Sequence, residues 1–339
     1  MNPIMIGLDL AKNVFQVYGT DAEGNVFCRR LRRGQMEQYF AALPATAVVG
    51  MEACAGAHYW ARLLQRLGHE VRMMSPAYVK PYVKRNKTDG RDAEAIWEAM
   101  QRSTMRFVTI RDEESQAVGV MHRTRELLVR QRTMVANALR AAFAEFGIVA
   151  PQGIEGLRQL IGSLADSDGP LPSVAREALL VLGRQWKELD GDLRALQARI
   201  ECAARQDEKA RRLMDIPCVG PIVAGAVLAK VADPHAFRTA RGFSAWLGFN
   251  PRQYGTGGKQ RSGRISKQGD RSIRTLLITG ASAYLRQAKR RGVKDPWLAG
   301  LLARRPYKVV MVALAAKTAR IIWALLVKGE QYRAPVLAA

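Results

Sequence analysis

The sequence is poor in cysteine, and this shortage excludes two classes of protein. Its four cysteines (Cys28, Cys54, Cys202 and Cys218) lie far apart and form no C-x-x-C pair. That spacing argues against a zinc site and gives no disulfide framework. Signals for the membrane are also missing, because no strongly amphipathic surface helix or lipidation motif is evident. The start, "MNPIMIGLDLAKNVF", lacks the cleavage-site pattern of a signal peptide. We therefore expect a cytoplasmic protein without a membrane partner.

Acidic residues are also scarce, with 30 Asp and Glu against 53 Lys and Arg, so the net charge is +23. A charge of this size indicates a polyanionic partner, because Lys and Arg that neutralise phosphates release counterions. Nucleic acid is the first candidate. The 339 residues are 48% hydrophobic, enough for the packed cores of two or three domains. The apolar run "VVMVALAAKTARIIWALLV" is interrupted by Lys317 and Arg320, which favours a buried helix over a membrane span.

The first third of the chain has the pattern of an α/β domain. Three short runs rich in β-branched and aromatic residues, "IMIGLDL", "VFQVYGT" and "NVFCRRL", predict three strands within residues 4–31. Helical and strand patterns then alternate through "GQMEQYFAAL", "ATAVVGMEA", "AHYWARLLQRL", "EVRMMS" and "TDGRDAEAIWEAMQ". The resulting order, βββαβαβα, is typical of an RNase H-like fold, so we predict such a domain over residues 1–110.

Residues 111–339 have the apolar spacing of helices. Apolar residues recurring every three or four positions predict one long helix over 112–147 and another over 174–212. We expect them to pair antiparallel in a coiled-coil domain over 111–210, either as a dimer contact or as an intramolecular bundle. A mostly helical domain, 211–339, begins with "LMDIPCVGPIVAGAVLAKV", which resembles a helix-hairpin-helix. Its turn has Cys218 where that motif usually has Gly, so phosphate contact and simple packing both stay open.

Four acidic residues stand out against the basic background. Asp9 and Glu52 each end an apolar strand, where an unpaired carboxylate is costly to bury. Asp89 and Asp92, in "RNKTDGRDAEAI", are three positions apart at the start of a helix and share one face. Each acid alone has a plain explanation as a turn cap or a helix-start charge. In an RNase H-like sheet the first and fourth strands are neighbours, so the four acids together predict a Mg²⁺ site for phosphoryl transfer.

A second constellation is the glycine-rich basic block of residues 243–274. Glycine lets the backbone approach a ligand closely, and cations neutralise phosphate. Thr256, Ser262 and Ser266 offer hydroxyls within it. A plain nucleic-acid-binding loop and a loop carrying a nucleophilic hydroxyl both fit this composition. The predicted nucleic-acid-binding residues here and beside the paired acids are Lys87, Arg91, Lys259, Arg261, Arg264, Lys267, Arg271 and Arg274.

Six segments in order resemble the motifs of the IS-one-ten family of insertion-sequence transposases, and most closely its IS-eleven-eleven subgroup. They are "GLDLAK", "GMEACAGAHYW", "NKTDGRDA", "IPCVGP", "FSAWLGFNPRQYGTGGKQRSGRISKQGD" and "IRTLL". The resemblance spans most of the chain. It implies a DEDD recombinase guided by a bridge RNA, with an RNase H (RuvC)-like N-terminal domain, a coiled-coil middle and a C-terminal transposase domain.

The resemblance also implies roles for individual residues. Asp9, Glu52, Asp89 and Asp92 match the metal-binding acids, with Mg²⁺ as the cofactor. In the family a serine hydroxyl attacks a phosphodiester of donor or target DNA and gives a covalent 5′-phosphoserine, followed by strand exchange through a junction. The family builds this composite site from two protomers, which implies a dimer or tetramer.

One position departs from the family pattern. Thr256 stands where the family has its serine, and threonine acts as a nucleophile with more crowding than serine. A shifted alignment selects Ser262 instead, so both remain candidates.

Two other functions remain open on the sequence alone. A RuvC-like junction endonuclease would use the acids to activate water and would form no covalent intermediate. A non-catalytic DNA- or RNA-binding scaffold would keep the acids as structural groups. RNA guidance depends only on the resemblance, because positive charge does not distinguish RNA from DNA and no RNP-type aromatic motif is evident.

Overall fold

The computed structural model describes residues 4–21, 23–44, 47–84, 89–166 and 169–333, without the side chain of Asp89. The chain divides into two compact units, Met1–Glu114 and Ser115–Ala339. The predicted three-domain division at 110 and 210 stays a prediction.

The strands are β1 (Met5–Asp9), β2 (Val14–Thr20), β3 (Val26–Arg32), β4 (Val48–Glu52), β5 (Glu70–Met74), β6 (Pro251–Thr256) and β7 (Lys259–Ile265). The helices are α1 (Met36–Ala41), α2 (Ala57–Arg66), α3 (Pro76–Val79), α4 (Asp89–Met100), α5 (Glu113–Glu145), α6 (Ile154–Gly162), α7 (Ser173–Gln206), α8 (Glu208–Met214), α9 (Pro221–Lys230), α10 (Ala240–Trp246), α11 (Arg271–Arg291), α12 (Pro296–Arg304) and α13 (Tyr307–Lys328).

The first unit is built on a five-stranded sheet with strand order β3-β2-β1-β4-β5. β2 pairs antiparallel with β1 and β3, while β1, β4 and β5 run parallel. The predicted order of three strands followed by alternating helices and strands is confirmed, with α3 as a short addition. The carboxyl ends of the parallel strands β1 and β4 therefore lie side by side.

Helix α4 packs against one face of this sheet through two glycines. A Cβ on Gly7 would lie 2.2 Å from the Ala93 carbonyl oxygen, and one on Gly50 would lie 2.5 Å from the Met100 sulfur. The absence of side chains at these paired positions lets the helix backbone approach β1 directly. The opposite face is covered by a larger core that includes Leu8, Phe15, Phe40 and Trp60.

The second unit contains the two long helices expected from the sequence. α5 agrees with the predicted span, but the second predicted helix, 174–212, is interrupted: α7 ends at Gln206 and α8 begins at Glu208. Asp207 lies between them in an extended conformation and its side chain accepts a hydrogen bond from the Ala210 N–H, so it caps α8. Apolar periodicity continues across this residue, which explains the wrong prediction.

The long helices α5 and α7 pack antiparallel. Arg132 of α5 donates to the buried carboxylate of Asp190 of α7 at 2.7 Å. Further along α5, Phe143 shares a core with Leu179, which precedes Asp190 in α7. These contacts lie within the chain, so they fit the intramolecular alternative of the predicted pair. The coiled-coil description stays a prediction.

The C-terminal helices surround a separate core that includes Phe243, Leu277, Leu285 and Ile322. Within the described residues, α13 is the one helix long and apolar enough to cross a membrane by length and composition, a weak indication by itself. Residues along α13, including Val310, Ala315 and Ile322, are part of this core. The structure therefore gives α13 the core position expected from Lys317 and Arg320.

Helices α8 and α9 are joined by a turn in which Cys218 has a positive φ of 77°. This backbone region is costly for any residue with a Cβ, and it is where the resembled motif has glycine. The Cys218 carbonyl also packs closely on Gly280: a Cβ added to Gly280 would lie 2.2 Å from the Cys218 carbonyl oxygen. The helix-hairpin-helix assignment and its phosphate contact stay predictions.

One element of the second unit was not expected from the sequence. β6 and β7 form a two-stranded antiparallel hairpin in an otherwise helical region. Its two-residue turn, Gly257 and Gly258, has φ values of 56° and 78°. Two positive φ values are typical of the tight turns that favour the twist of a hairpin. We call residues 251–265 the arm.

Candidate metal edge and nucleic-acid arm

Asp9 and Glu52 lie at the ends of neighbouring parallel strands. Leu8 of β1 is level with Met51 of β4, so the next residues, Asp9 and Glu52, end their strands side by side. Adjacent strands are about 4.8 Å apart. Both residues are half-buried. The structure thus brings these two predicted acids together at one edge, which we call the acidic edge.

The acids face the side of the sheet that carries α4. Side chains two positions apart on a strand share a face, so Asp9 points to the side of Gly7 and Glu52 to the side of Gly50. Helix α4 packs on that same side through Gly7. Asp92 precedes Ala93, the residue whose carbonyl touches Gly7, and so lies beside the strand that ends in Asp9.

The full set of four acids is not assembled among the described side chains. Over the residues that the structure describes, no group of three or more His, Cys, Asp or Glu side chains is close enough to hold one metal ion. The Asp89 side chain lies outside the described residues. Paired carboxylate oxygens are still the ligands that hard divalent cations prefer, so Asp9 and Glu52 fit such an ion chemically.

Asp9 and Glu52 both lie close enough to the Cys54 thiol to influence its pKa. Burial raises the pKa of Cys54, and the negative charges of Glu52 and Asp9 raise it further. A single thiol influenced by both carboxylates is consistent with their side-by-side position. Two like charges at this spacing repel each other, and a cation between them relieves that repulsion.

The arm is exposed along its whole length. All six residues of β6 and six of the seven in β7 are exposed. Thr256 is directly opposite Lys259, and Tyr254 is opposite Arg261. Directly opposed residues share a face and neighbours alternate, so one face carries Tyr254, Thr256, Lys259 and Arg261. We call this the cationic face of the arm.

The two candidate nucleophiles lie on opposite faces of the arm. Thr256 is on the cationic face beside the turn, whereas Ser262 is opposite Gln253 on the other face. The Ser262 hydroxyl donates to Gln253 Oε1 at 3.3 Å. Register therefore places Thr256, the hydroxyl favoured from the sequence, and its alternative Ser262 on different faces.

The base of the arm is tightly anchored. Arg274, 7% exposed, donates from Nη1 to the carbonyls of Leu247 and Gln268, each at 2.8 Å. Gly269 has φ +72°, and a Cβ there would lie 1.7 Å from the Trp246 carbonyl oxygen. Ser266 N–H also donates to the Asn250 carbonyl. Arg274 therefore holds the base of the arm through these two carbonyls, and its nucleic-acid contact stays a prediction.

The remaining predicted basic residues fall in three groups. Lys87 lies outside the described residues, and Arg91 is half-buried in the first turn of α4. The exposed ones are Lys259, Arg261, Arg264, Lys267 and Arg271. Between Asp233 and Asp270 the sequence has no Asp or Glu and seven Lys or Arg: Arg238, Arg241, Arg252, Lys259, Arg261, Arg264 and Lys267. The arm therefore lies in a segment of one charge sign.

Sequence reasoning missed Tyr254. The residues expected from the basic block were its cations and hydroxyls, and the aromatic residue beside them was not among them. A usable signal existed, because Gly257-Gly258 between two extended polar runs is typical of a hairpin turn. A hairpin assignment would have placed Tyr254 on the same face as Thr256.

Comparison with known families identifies the domains that carry these two sites. A DEDD-type IS110 transposase model matches residues 6–148, which include the acidic edge. A second model, described as "Transposase IS116/IS110/IS902 family", matches residues 210–295, which include the arm.

Three relatives are similar over nearly the whole chain. A "Probable family 20 transposase" of Pseudomonas aeruginosa is 48% identical, covering 98% of this chain and 99% of its own. The "Transposase for insertion sequence element IS1328" of Yersinia enterocolitica is 39% identical, covering 98% of this chain and 99% of its own. The "Transposase for insertion sequence element IS1111A" of Coxiella burnetii is 39% identical, covering 97% of this chain and 91% of its own.

These similarities define a DEDD-type transposase, an enzyme that acts on DNA. The chain belongs to the IS116/IS110/IS902 family of insertion-sequence transposases, which confirms the resemblance found in the sequence. A DEDD-type domain also suggests dependence on a divalent metal.

Proposed function

We propose that this transposase cuts and rejoins DNA through a covalent intermediate formed by Thr256. The observation that carries the proposal is the position of the Thr256 hydroxyl: it lies beside the turn of an exposed arm, on the face that also carries Lys259 and Arg261. A DNA phosphate is an anion and is attracted to this face.

The reaction of the arm is a phosphoryl transfer. Thr256 Oγ1 loses its proton to solvent as it attacks the phosphorus of a DNA phosphodiester, the phosphorus–O3′ bond breaks, and the released 3′ oxygen takes up a proton from solvent. The product is a 5′-phosphothreonine, and a second hydroxyl of DNA reverses the attack to rejoin a strand. Lys259 and Arg261 neutralise the phosphate as charge develops on its oxygens.

The acidic edge provides the second requirement of the reaction. In the proposed RNase H (RuvC)-like domain, Asp9, Glu52, Asp89 and Asp92 would hold Mg²⁺, which when bound supplies stabilisation of negative charge on phosphate oxygens. The strand order β3-β2-β1-β4-β5 and the side-by-side ends of β1 and β4 support this assignment.

Position also favours Thr256 over Ser262. The Ser262 hydroxyl is engaged with Gln253, whereas Thr256 is directly opposite the cation Lys259. Thr256 is next to the turn, where a DNA backbone has room to approach, since a Cβ on Gly257 or Gly258 would meet no atom within 4 Å.

The test is the formation of a denaturation-resistant protein–DNA adduct. The full chain is incubated with cognate DNA, the RNA transcribed beside its coding region and Mg²⁺, and the adduct is resolved in denaturing gels. We expect Thr256→Ala to abolish the adduct, while Thr256→Ser and Ser262→Ala retain it. An adduct from Thr256→Ala overturns the assignment, and its loss only in Ser262→Ala transfers the role to Ser262.

A RuvC-like junction endonuclease is the second candidate, supported by the acidic edge alone. It predicts DNA cleavage that depends on Asp9 but leaves no adduct with any variant of the arm. Guidance by a bridge RNA, assembly into a dimer or tetramer, and a cytoplasmic location belong to the same proposal. Omission of the RNA from the adduct assay tests the guidance directly.

A further inference from the structure

Tyr254 is an aromatic residue left in solvent at the centre of the arm. Tyr254 is 56% exposed, the largest exposure of any aromatic residue among the exposed large hydrophobic residues of the described chain. Both strands of the arm are exposed around it, so the arm has no core of its own to cover the ring. An exposed ring that has Lys259 and Arg261 on its own face is typical of a surface on which nucleic-acid bases stack.

The ring is held by a glycine on the neighbouring strand. A Cβ on Gly263 would lie 2.7 Å from Tyr254 Cε2 and 3.5 Å from Cδ2. Such an aromatic ring over a cross-strand glycine is a known way to stabilise a sheet edge. Here Gly263 lets one part of the ring lie against the backbone while the rest stays open to a ligand.

The surroundings of the ring are matched to a nucleic acid. Lys259 and Arg261 share its face, and the sequence between Asp233 and Asp270 has no acidic residue. Tyr254 is two residues from Thr256, which is about 7 Å along an extended strand and so about two stacked base steps of DNA. A base stacked on Tyr254 would therefore lie about two nucleotides from the phosphate that Thr256 contacts.

We infer that Tyr254 is a stacking platform for an unpaired nucleotide of the DNA strand that contacts the cationic face of the arm. Aromatic rings among cations bind single strands in this way, whereas in a duplex the base faces are already covered by stacking. The inference deepens the proposed function and rests on it, because it names the form of DNA that the arm recognises. Tyr254 is then a binding residue, and the arm selects DNA that is locally unpaired.

The experiment compares the affinities of the full chain for three oligonucleotides of one sequence: single-stranded DNA, duplex DNA and single-stranded RNA. We expect Tyr254→Ala to weaken single-stranded DNA binding roughly 5- to 150-fold and to leave duplex binding nearly unchanged. Tyr254→Phe, which keeps the ring, should restore the affinity. Phe146→Ala, which removes another exposed ring at 41% exposure, is the matched control and should change neither affinity.

Salt dependence separates stacking from charge. Stacking releases no counterions, so Tyr254→Ala should lower the affinity for single-stranded DNA without changing its slope against salt concentration. Gly263→Ala, which displaces the ring without removing it, should cause a smaller loss in the same assay. Thermal unfolding of each variant checks that the core is intact.

Four results overturn the inference: unchanged single-stranded DNA binding by Tyr254→Ala, an equal loss for duplex and single-stranded DNA, a loss confined to RNA, or a loss in Tyr254→Phe as large as that in Tyr254→Ala. The adduct assay remains separate. A Thr256→Ala protein that still forms an adduct would remove the proposed nucleophile, whereas unchanged single-strand binding by Tyr254→Ala would remove only the stacking platform.

Discussion

The acidic edge and the arm place reactive groups in opposite ways. Asp9 and Glu52 are half-buried at the ends of two paired strands, and α4 covers their side of the sheet through Gly7 and Gly50. Thr256 and Tyr254 are on an exposed hairpin whose contacts with the core are confined to its base. Like charges need a rigid frame to stay together, whereas a hydroxyl that must approach a long polymer benefits from exposure.

The largest effect should come from the acidic edge. We expect Asp9→Asn or Glu52→Gln to lower DNA cleavage by about 100- to 10,000-fold, because removing a carboxylate removes several kcal/mol of metal-dependent charge stabilisation. Cleavage of a cognate DNA substrate measures this, with circular dichroism as a check of folding. Glu188→Gln, an exposed acid on α7, is the matched control. Normal cleavage by both edge variants would show that DNA cutting does not depend on the acidic edge.

The second prediction contrasts glycines of the two regions. Gly7→Ala should destabilise the first unit by at least about 3 kcal/mol, because the new Cβ would meet the backbone of α4. Gly258→Ala at the arm turn meets no atom within 4 Å, so only its left-handed backbone, φ +78°, opposes alanine, at a cost of about 1 kcal/mol. Denaturant unfolding measures both. Equal losses would mean that the arm is as tightly packed as the edge.

The third prediction concerns pH and the packed helices of the second unit. Burial, assisted by the positive charges of Arg125 and Lys230, lowers the pKa of His122 from 6.5 to about 4. Between about pH 4 and pH 6.5, His122 therefore stays neutral in the folded state, whereas it binds a proton in the unfolded state. Stability from this residue is complete above about pH 6.5 and is lost as the pH falls towards 4.

Protonation of His122 as the pH falls from 7 to 4 should lower the free energy of unfolding by on the order of 3 kcal/mol. His122→Leu should remove this part of the pH dependence, and His235→Gln, at an exposed histidine, should not. Unfolding measured between pH 4 and 7 tests it. An unchanged pH profile in His122→Leu would assign the titration to other groups.

The smallest effect is expected from one cation of the arm. Lys259→Ala should reduce the slope of log affinity against log salt for single-stranded DNA by about 0.7, the value for one lost phosphate contact. The unfolding free energy should stay the same, because Lys259 is exposed. Lys187→Ala, at an exposed position on α7, provides the comparison. A drop in stability with no change in slope would make the arm a structural element.

The sequence was sufficient to predict the acidic edge but not the arm. Alternation and apolar runs identify β1 and β4, and the order of elements makes Asp9 and Glu52 neighbours. The close packing of α4 depends on two glycines whose partners are distant in sequence, so it required the structure. In the arm, the turn signal Gly257-Gly258 is present, but the flanking strands lack the alternation of apolar residues that identifies β1 and β4.

Which face each hydroxyl occupies depends on register, and register follows from the turn. A shift of one residue between the strands would place Thr256 and Ser262 on the same face. Composition carries no such information. The same limit applies to Arg274. Composition shows that it is a cation in a basic block, but only the structure shows that it is buried at the base of the arm.

Proteolytic cleavage at the exposed turn of the arm can report whether DNA covers the arm. Loop tips of this kind are preferred sites of proteolytic cleavage, and Lys259 follows the turn directly as a trypsin site. Limited trypsin digestion should therefore cut the free protein at the arm and leave the helical core whole. DNA that covers the arm should slow that cut, so a digestion time course provides a footprint of occupancy that needs neither catalysis nor a labelled substrate.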